Sequence, residues 1–475
     1  MKKIILLSIC LISMHAGISQ TQDKKVWTLR ELIDYAISNN LTVKRSTYGV
    51  ESNDISALQA KMAMLPTLNG NGNYGLNWGR TIDPTTNIFT TNQVKSSNLG
   101  VNSSLLLWNG FRLFYNMKQS ELDLMAANED LLRVKNDVIL GVITFYLNVV
   151  FNKELYNVAL LQVRSTQEQL DRTRKLVDAG SLPLADLLNL DAQLATNELN
   201  VIQRENSLNL SLLQLKQSLQ LPSSTPMDVE APQLDIANEL NINKTAEEIY
   251  DIATMNMPEI KAADLRKKST VYGFRAAKGN LYPRLSVNAS YSTIYSDQRQ
   301  QFQADGGSVP RSIGFVEDTG TPVVTNVPTG SFYVPGISDQ FVDNRGRSVG
   351  ISLQIPIFNG LSTRSTMKRA VINSELANIT YQETSNTLRQ TVETSYNNAI
   401  SAIKTYQSTE RQVKARDEAF RMTKQRYNLG AVNFVDYQVA ENNLFQAESD
   451  LLRAKYDFIF RKKVLDFYQG LPLDF

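Results

Sequence analysis

The residue types best suited to nucleophilic or metal chemistry are nearly absent from this sequence. It contains one cysteine, Cys10, and one histidine, His15. Ser-His-Asp and Cys-His catalysis need an imidazole, structural zinc needs sulfur or imidazole ligands, and a disulfide needs two cysteines. Carboxylate chemistry stays open, but it requires a pocket. The sequence therefore predicts no catalytic residue, no metal site and no cofactor, and a protein that is not an enzyme.

Both residues lie in an N-terminal segment with the features of a secretory signal. Lys2 and Lys3 precede a short apolar run, and small residues stand before Gln20. This pattern predicts a signal peptide over residues 1–19, whose apolar run is too short to span a membrane. Lipidation of Cys10 is the alternative, and it is disfavoured because the preceding residue is isoleucine rather than a small residue.

Neither motifs nor charge indicate a nucleotide or nucleic-acid partner. The stretch "GNGNYG" at residues 70–75 fits the G-x-G-x-x-G spacing of dinucleotide-binding loops. That motif requires a strand before it and a helix after it, whereas here a strand pattern continues through it. The 49 basic residues nearly balance the 47 acidic ones, so no nucleic-acid partner is predicted.

The chain is written as two copies of one unit. "TLRELIDYAISNN" at 28–40 corresponds to "TAEEIYDIATMNM" at 245–257, and "LLLWNGF" at 105–111 corresponds to "IPIFNGL" at 355–361. The offset grows from 217 to 250 between these matches, so the second copy has 33 extra residues between its two strands. The predicted organisation is a first repeat at 20–220, a linker at 221–244, and a second repeat at 245–475 with a longer loop.

Each unit contains two segments of strict two-residue alternation. This period predicts four strands of roughly 10–12 residues with one apolar and one polar face. Strands of this length and pattern suit a tilted crossing of a bilayer, with lipid outside and water inside. A half-buried sheet of a soluble domain is the alternative. The apolar positions are Leu68, Tyr74, Leu76, Trp78, Leu99, Val101, Leu105, Leu107, Leu285, Val287, Ala289, Tyr291, Val349, Ile351, Leu353 and Ile355.

After each strand pair the period becomes helical. Residues 111–179 and 361–429 contain no proline, and each segment predicts a helix about 100 Å long at 1.5 Å per residue. A seven-residue spacing of apolar positions predicts coiled-coil packing with left-handed supercoiling. These positions are Val142, Val149, Tyr156, Val163, Leu170 and Val177 in the first segment, and Val392, Ala399, Tyr406, Val413, Phe420 and Tyr427 in the second.

Glycines and Asn-Gly pairs mark the ends of these helices. Asn109-Gly110 and Asn359-Gly360 stand where a strand pattern gives way to a helix pattern, and asparagine is a good helix N-cap. Gly180 and Gly430 stand where the long helices end, a favoured place for glycine, and a second helix follows within a few residues. Each unit therefore predicts a helical hairpin with a tight tip.

Four strands are too few to close a barrel. Open sheet edges are not tolerated in lipid, and small closed barrels need about eight strands. The chain is therefore predicted to oligomerise, and three copies would supply twelve strands. The expected fold class is mainly α with a membrane β-barrel portion: long helical hairpins form an α-barrel, and trimerisation closes four transmembrane strands per chain. A dimer or a tetramer is the alternative.

This arrangement resembles the TolC-type outer membrane efflux proteins over essentially the whole mature chain. The resemblance rests on the duplicated order of elements, the paired "WNG" and "FNG" junctions, and Gly-x5-Asp tips at Gly180 and Gly430. It implies a passive homotrimeric duct in outer membrane lipid that extends across the periplasm. It also implies that the hairpin tips contact a periplasmic adaptor (membrane fusion) protein, and that an inner-membrane pump drives transport.

The resemblance also implies a periplasmic gate at the tips. Carried over by position, Asp186 and Asp436 would lie just inside the mouth, and Tyr427 matches a tyrosine that bonds to the first-tip aspartate. Val432 stands where an arginine often completes a salt bridge, so that lock is not transferred. The alternative for each aspartate is an ordinary residue of a helix start, and the alternative for Tyr427 is a core residue.

Other classes of protein compete with the channel interpretation. A structural coiled-coil protein or an adaptor-like envelope protein without a pore would also have long helices. Neither would need a duplicated unit with four alternating strands. The sequence leaves the cargo open among drugs, metal ions, siderophores and polypeptides.

Overall fold

The computed structural model describes residues 25–82, 85, 87–91, 93–232 and 240–471. The predicted signal peptide at 1–19, with Cys10 and His15, lies outside the described residues. Part of the predicted linker, residues 233–239, lies outside them as well.

Strands and long helices alternate along the chain in the duplicated order that the sequence predicts. The strands are β1 (Lys25–Trp27), β2 (Thr67–Asn77), β3 (Thr81–Ile82), β4 (Phe89–Thr90), β5 (Val94–Trp108), β6 (Met227–Val229), β7 (Arg284–Ser296), β8 (Gln301–Phe315), β9 (Pro322–Tyr333) and β10 (Gly346–Gln354). The helices are α1 (Leu29–Asn39), α2 (Leu41–Met62), α3 (Arg112–Asp178), α4 (Leu184–Ser218), α5 (Ala246–Asn256), α6 (Pro258–Gly279), α7 (Ile337–Asp343), α8 (Ser362–Asn428) and α9 (Phe434–Tyr468).

The chain divides into two compact units that differ from the two sequence repeats. One unit contains the residues up to Asn53, Asp123–Lys267, and the residues from Ala377 onward. The other contains Asp54–Leu122 and Lys268–Leu376. Each unit therefore takes parts from both repeats. We call the first the helical unit and the second the sheet unit.

In the sheet unit, the four predicted strands form one antiparallel sheet in the order β10-β7-β5-β2. The register pairs Ile351 with Val287 and Ser352 with Ser286, so like faces meet across the strands. One detail of the predicted alternation is wrong. A β-bulge between Leu106 and Trp108 places Trp108, not Leu107, in the register position opposite Leu285. The extra residue shifts the side-chain alternation by one position.

The extra segment of the second repeat is a β-hairpin rather than an irregular loop. Strands β8 and β9 pair with each other, and every residue of β8 is exposed. The base of the segment is anchored to β7 by Gln340, whose side chain is fully buried. Its amide nitrogen donates to the carbonyl oxygens of Ser296 and Pro335, both at 2.9 Å, and its oxygen accepts from the Ser296 N–H at 3.1 Å. The β8–β9 hairpin is therefore exposed to solvent, and the hydrogen bonds of Gln340 fix its base.

In the helical unit, the two repeats build their cores from corresponding residues. Leu32 and Ala36 of α1 are fully buried, and so are Ile249 and Ala253 of α5 at the same offset of the repeat. Both helices begin with a capping box, Thr28 with Glu31 in α1 and Thr245 with Glu248 in α5. In a capping box the two residues satisfy each other's backbone N–H groups, which fixes the helix start.

The predicted seven-residue spacing is confirmed by burial. Val142, Val149 and Leu170 of α3 are buried, and so are Val392 and Ala399 of α8. The remaining positions of the spacing are intermediate, and none is exposed. Narrow seams of this kind fit helices that lie side by side in a wall.

One described helix, α3, is apolar enough over an 18-residue window to cross a membrane by length and composition, with a mean hydropathy of 1.5. The same helix supplies Val142, Ile143 and Val149 to the largest core cluster of the helical unit. Packing between helices therefore accounts for the buried third of this window, which is 33% buried.

The predicted linker contains a short strand. β6 pairs in parallel with β1, placing Val229 opposite Trp27. Lys153 of α3 donates to the Asp228 carboxylate at 2.8 Å and to the Val229 carbonyl at 3.1 Å. The connection between the repeats is thus attached to the core of the helical unit.

Candidate functional site

The two hairpin tips end their long helices in the same way. Gly180 has a φ of +74°, and its N–H donates to the Val177 carbonyl at 2.8 Å. The Ser181 N–H donates to the Leu176 carbonyl at 2.8 Å, which completes a Schellman motif. Gly430 has a φ of +69° and makes the same two bonds, at 3.0 and 2.9 Å. A left-handed glycine at both tips confirms the tight turns predicted from the sequence.

Both tip aspartates occupy the third position of the returning helix. The Asp186 N–H donates to the Pro183 carbonyl at 3.2 Å, and the Asp436 N–H donates to the Asn433 side chain at 2.9 Å. Asn433 therefore caps the second tip helix, and no side-chain bond caps the first. A carboxylate in the first turn is favoured by the helix dipole. The geometry accounts for both residues as helix-start residues, and leaves Asp436 exposed and Asp186 half-buried.

Tyr427 lies in an aromatic cluster behind the tips. Its ring is 5.0 Å from that of Tyr437 and 6.2 Å from that of Phe434, measured between centroids. Its hydroxyl is buried and makes no hydrogen bond to Asp186, so the bond that the resemblance implied is not formed. Burial raises the pKa of Tyr427, and the charge of Asp186 adds to the rise. The core alternative therefore accounts for its position.

The structure contains a buried carboxyl group behind the tips that was not among the predicted site residues. Glu441 is 9% exposed, and it accepts hydrogen bonds from the Tyr437 hydroxyl at 3.4 Å and the Ser165 hydroxyl at 3.5 Å. Burial raises its pKa. Phe434, Tyr437 and Glu441 follow the i, i+3, i+7 spacing of one helix face, which is the signal that could have identified it.

The strand–helix junctions turn through two consecutive left-handed residues. Gly110 and Phe111 have φ values of +66° and +61°, and Gly360 and Leu361 have +61° and +64°. The main-chain carbonyl of Asn109 accepts from the Arg112 N–H at 3.3 Å. The prediction of a side-chain N-cap at Asn109 is wrong, because the helix begins at Arg112 and the N-cap position before it is held by Phe111. The side-chain amide nitrogen of Asn109 is buried without a hydrogen-bond partner among the described residues.

At the second junction, the side chain of Asn359 bonds to a side chain and likewise does not cap the helix. Its main-chain carbonyl accepts from the Ser362 N–H at 3.2 Å, and its side-chain amide donates to the Thr363 hydroxyl. Both junctions are therefore formed by the main-chain turn. Its first left-handed position is occupied by glycine, which adopts this conformation without strain.

The two faces of the four-stranded sheet differ sharply in chemistry. On one face Val349, Ile351 and Leu353 are 77%, 73% and 60% exposed. On the other face polar side chains bond across every pair of neighbouring strands. These bonds join Asn102 to Asn71 at 2.8 Å, Ser104 to Asn288 at 2.9 Å, and Ser290 to Ser348 at 2.7 Å.

An apolar stripe this exposed on a soluble chain would be unusual, since large exposed apolar patches mark contacts with partners or membranes. Within the described part of the chain, no group of three or more His, Cys, Asp or Glu side chains is arranged to hold a metal. The sheet faces, the junctions and the tips are the candidate functional features.

Comparison with known proteins agrees with this geometry. Outer membrane protein TolC of Escherichia coli is 24% identical over 329 residues, which cover 68% of this chain and 59% of TolC, so the match spans less than two thirds of that relative. Outer membrane efflux protein BepC of Brucella suis is 20% identical over 456 residues, covering 96% of this chain and 86% of BepC.

Solved structures share the fold. The CmeC outer membrane channel of Campylobacter jejuni superposes with a TM-score of 0.69 at 16% identity, covering 93% of this chain and 85% of CmeC. Residues 32–219 and 249–459 match the family described as outer membrane efflux protein. Because this match includes most of both repeats, the chain belongs to the outer membrane efflux protein family, and it is an outer-membrane protein that extends into the periplasm.

Proposed function

We propose that the protein is the outer-membrane exit channel of a tripartite efflux or type I secretion system. The observation that carries this proposal is the four-stranded sheet, which has an exposed apolar face and a hydrogen-bonded polar face. Such a sheet suits a barrel wall between lipid and water. Family membership supports the same function.

The barrel is closed by three copies of the chain. Among the described strands, β10 and β2 each have a neighbour on one side only. Unpaired edges are costly in lipid, which supports pairing of these edges between copies. The two repeats, at 20–220 and 245–475 with the linker at 221–244, would then provide two similar segments of wall per copy.

The channel is passive and is coupled to a periplasmic adaptor and an inner-membrane pump. The tips at Gly180 and Gly430 are the proposed adaptor contacts, because both expose a turn at the end of a long hairpin. The pump would select the cargo and supply the energy.

Electrophoresis and conductance together test this function. The detergent-purified protein is expected to migrate as a trimer without heating and as a monomer after heating. In a planar bilayer it should produce discrete conductance steps. A protein that is monomeric without heating and gives no conductance would overturn the proposal and favour a structural envelope protein.

The second proposal concerns the tips as a periplasmic gate. Three copies of Asp186 and Asp436 at one constriction would favour cations, as acidic rings do in channels. We expect Asp436→Ala to weaken cation selectivity, measured as the reversal potential under a salt gradient. Asp251→Ala, which removes an exposed acid of α5, is the control and should have no effect. An unchanged potential in Asp436→Ala would leave Asp436 as a helix-start residue only.

The third proposal concerns the β8–β9 hairpin, which we place outside the cell because the long loops of outer-membrane barrels face outward. Gly306 has a φ of +84°, and a Cβ placed there would meet nothing within 4 Å. An epitope tag after Gly306 is expected to bind antibody on intact cells. Binding only after permeabilisation would invert the topology.

A further inference from the structure

A polar cavity of about 320 Å³ lies in the sheet unit, where β7 and β10 meet the start of α8. It is within the lower part of the range for small-molecule pockets, about 300–1,000 Å³. No carboxylate lines it. Its lining residues are Asn280, Arg284, Gln354, Pro356, Asn359, Ser362, Thr363 and Thr366.

Two arginines bring positive charge to this cavity. Arg284 is in its wall, and Arg112 donates to the side-chain oxygen of Asn280, another wall residue, at 2.9 Å. Burial lowers the pKa of Arg112, and the charge of Arg284 lowers it further. Neither guanidinium forms an ion pair with any residue that the structure describes. Arginine stays charged in proteins, so the two groups repel each other, and no ion pair among the described residues compensates them.

The other groups in the wall favour the same sign of ligand. The Asn359 and Thr363 side chains can donate hydrogen bonds, and Ser362 is the first residue of the 67-residue helix α8. The dipole of a helix start favours anions, and it acts here beside a Ser362 N–H that is already bonded to the Asn359 carbonyl. Arginine adds a planar fork of donors that matches phosphate and carboxylate oxygens.

Strand register decides which surface the cavity faces. Arg284 is paired with Gln354, and the next pair on the same face is Ser286 with Ser352. The cavity therefore belongs to the polar face of the sheet, which is the water-filled side of the proposed channel. A lipid headgroup would need the opposite face.

We propose that this cavity, with Arg284 and Arg112, is a binding site for oxyanion groups on negatively charged cargo that passes through the channel. The proposal rests on the proposed channel function and adds a class of cargo to it. The site binds cargo weakly and transiently, since a passing solute must also leave.

Block of conductance by inorganic pyrophosphate in planar bilayers tests the proposal. Pyrophosphate is expected to reduce the current of the unmodified channel. Arg284→Gln should raise the concentration for half-block roughly tenfold or more, since a hydrogen bond between charged groups contributes on that order. Arg284→Lys should keep part of the block. Arg284→Gln should also shift the reversal potential toward cations, opposite in sign to the shift expected for Asp436→Ala.

Arg275→Gln is the matched control. It removes the same charge from a separate cavity that is lined by Trp108, Phe111 and Tyr282. Equal loss of pyrophosphate block in Arg275→Gln and Arg284→Gln would overturn the proposal, because the general positive potential of the region would then explain the block. Pyrophosphate block that is present in phosphatidylcholine bilayers and disappears in phosphatidylglycerol bilayers would assign the site to a lipid headgroup. This result would also overturn the proposal. A protein without any conductance refutes the channel itself, whereas a conducting Arg284→Gln channel with normal block refutes only this inference.

Discussion

Replacing Ile351 by arginine is expected to remove most of the assembled trimer. Ile351 lies in the middle of β10 on the apolar face, is 73% exposed in the single chain, and pairs with Val287. In the proposed barrel this position faces hydrocarbon, where arginine costs about 2–4 kcal/mol at the midplane. Three copies would place three such charges in one barrel. Unheated electrophoresis of membrane extracts measures the trimer fraction.

The neighbouring position provides the control. Ser352 lies on the polar face opposite Ser286, and Ser352→Arg should assemble normally because its side chain would enter water. The two substitutions introduce the same residue one position apart in the same strand. Equal loss of trimer in both variants would mean that the faces have been assigned incorrectly.

The second large effect is expected at the first strand–helix junction. An alanine Cβ at Gly110 would lie 2.6 Å from the Gly279 carbonyl oxygen and 2.8 Å from Cδ2 of Tyr282. One of these neighbours is backbone and cannot rotate away. The left-handed conformation adds about 1–2 kcal/mol for a residue with a Cβ, and overpacking adds about 1–3 kcal/mol. Gly110→Ala should therefore lower the thermal unfolding midpoint in detergent strongly, as measured by circular dichroism.

Gly180→Ala separates the two contributions. Gly180 has a similar φ of +74°, but a Cβ there would meet nothing within 4 Å. Only the conformational cost remains, so the midpoint should fall by much less than in Gly110→Ala. Midpoints that fall equally would show that the close approach to Gly279 does not contribute to stability.

The long helices could be predicted closely because two independent signals agree there. The predicted segment 111–179 became a helix at Arg112–Asp178, and 361–429 became one at Ser362–Asn428. The seven-residue spacing specifies the buried seam, and glycine specifies the end. The four sheet strands followed from alternation for a similar reason, since a slip by one residue would exchange their faces.

The bulge and the hairpin depended on information that the local pattern does not contain. Leu107 and Trp108 are both apolar, so alternation alone cannot locate the extra residue that the register reveals. The β8–β9 hairpin was predicted as a loop because its glycines and prolines, among them Gly306 and Pro310, resemble turn residues.

The side-chain roles at the tips and junctions were the least predictable. Asparagine is a good N-cap in general. At Asn109, however, two left-handed residues follow, and the main-chain carbonyl rather than the side chain accepts the Arg112 N–H. The Tyr427 hydroxyl depends on neighbours far apart in sequence, and it is buried in an aromatic cluster without the bond to Asp186. Tertiary packing determined both outcomes.

The unpaired edges of the sheet also have a genetic consequence. Suppose that β10 of one copy must pair with β2 of another. A chain with one blocked edge can still join normal chains through its intact edge, so it also inactivates the trimers that those normal chains enter. With equal expression of blocked and normal chains and random mixing, roughly one trimer in eight would contain only normal chains. Alleles that block one edge should therefore be dominant over the normal gene, whereas alleles that prevent the chain from folding should be recessive.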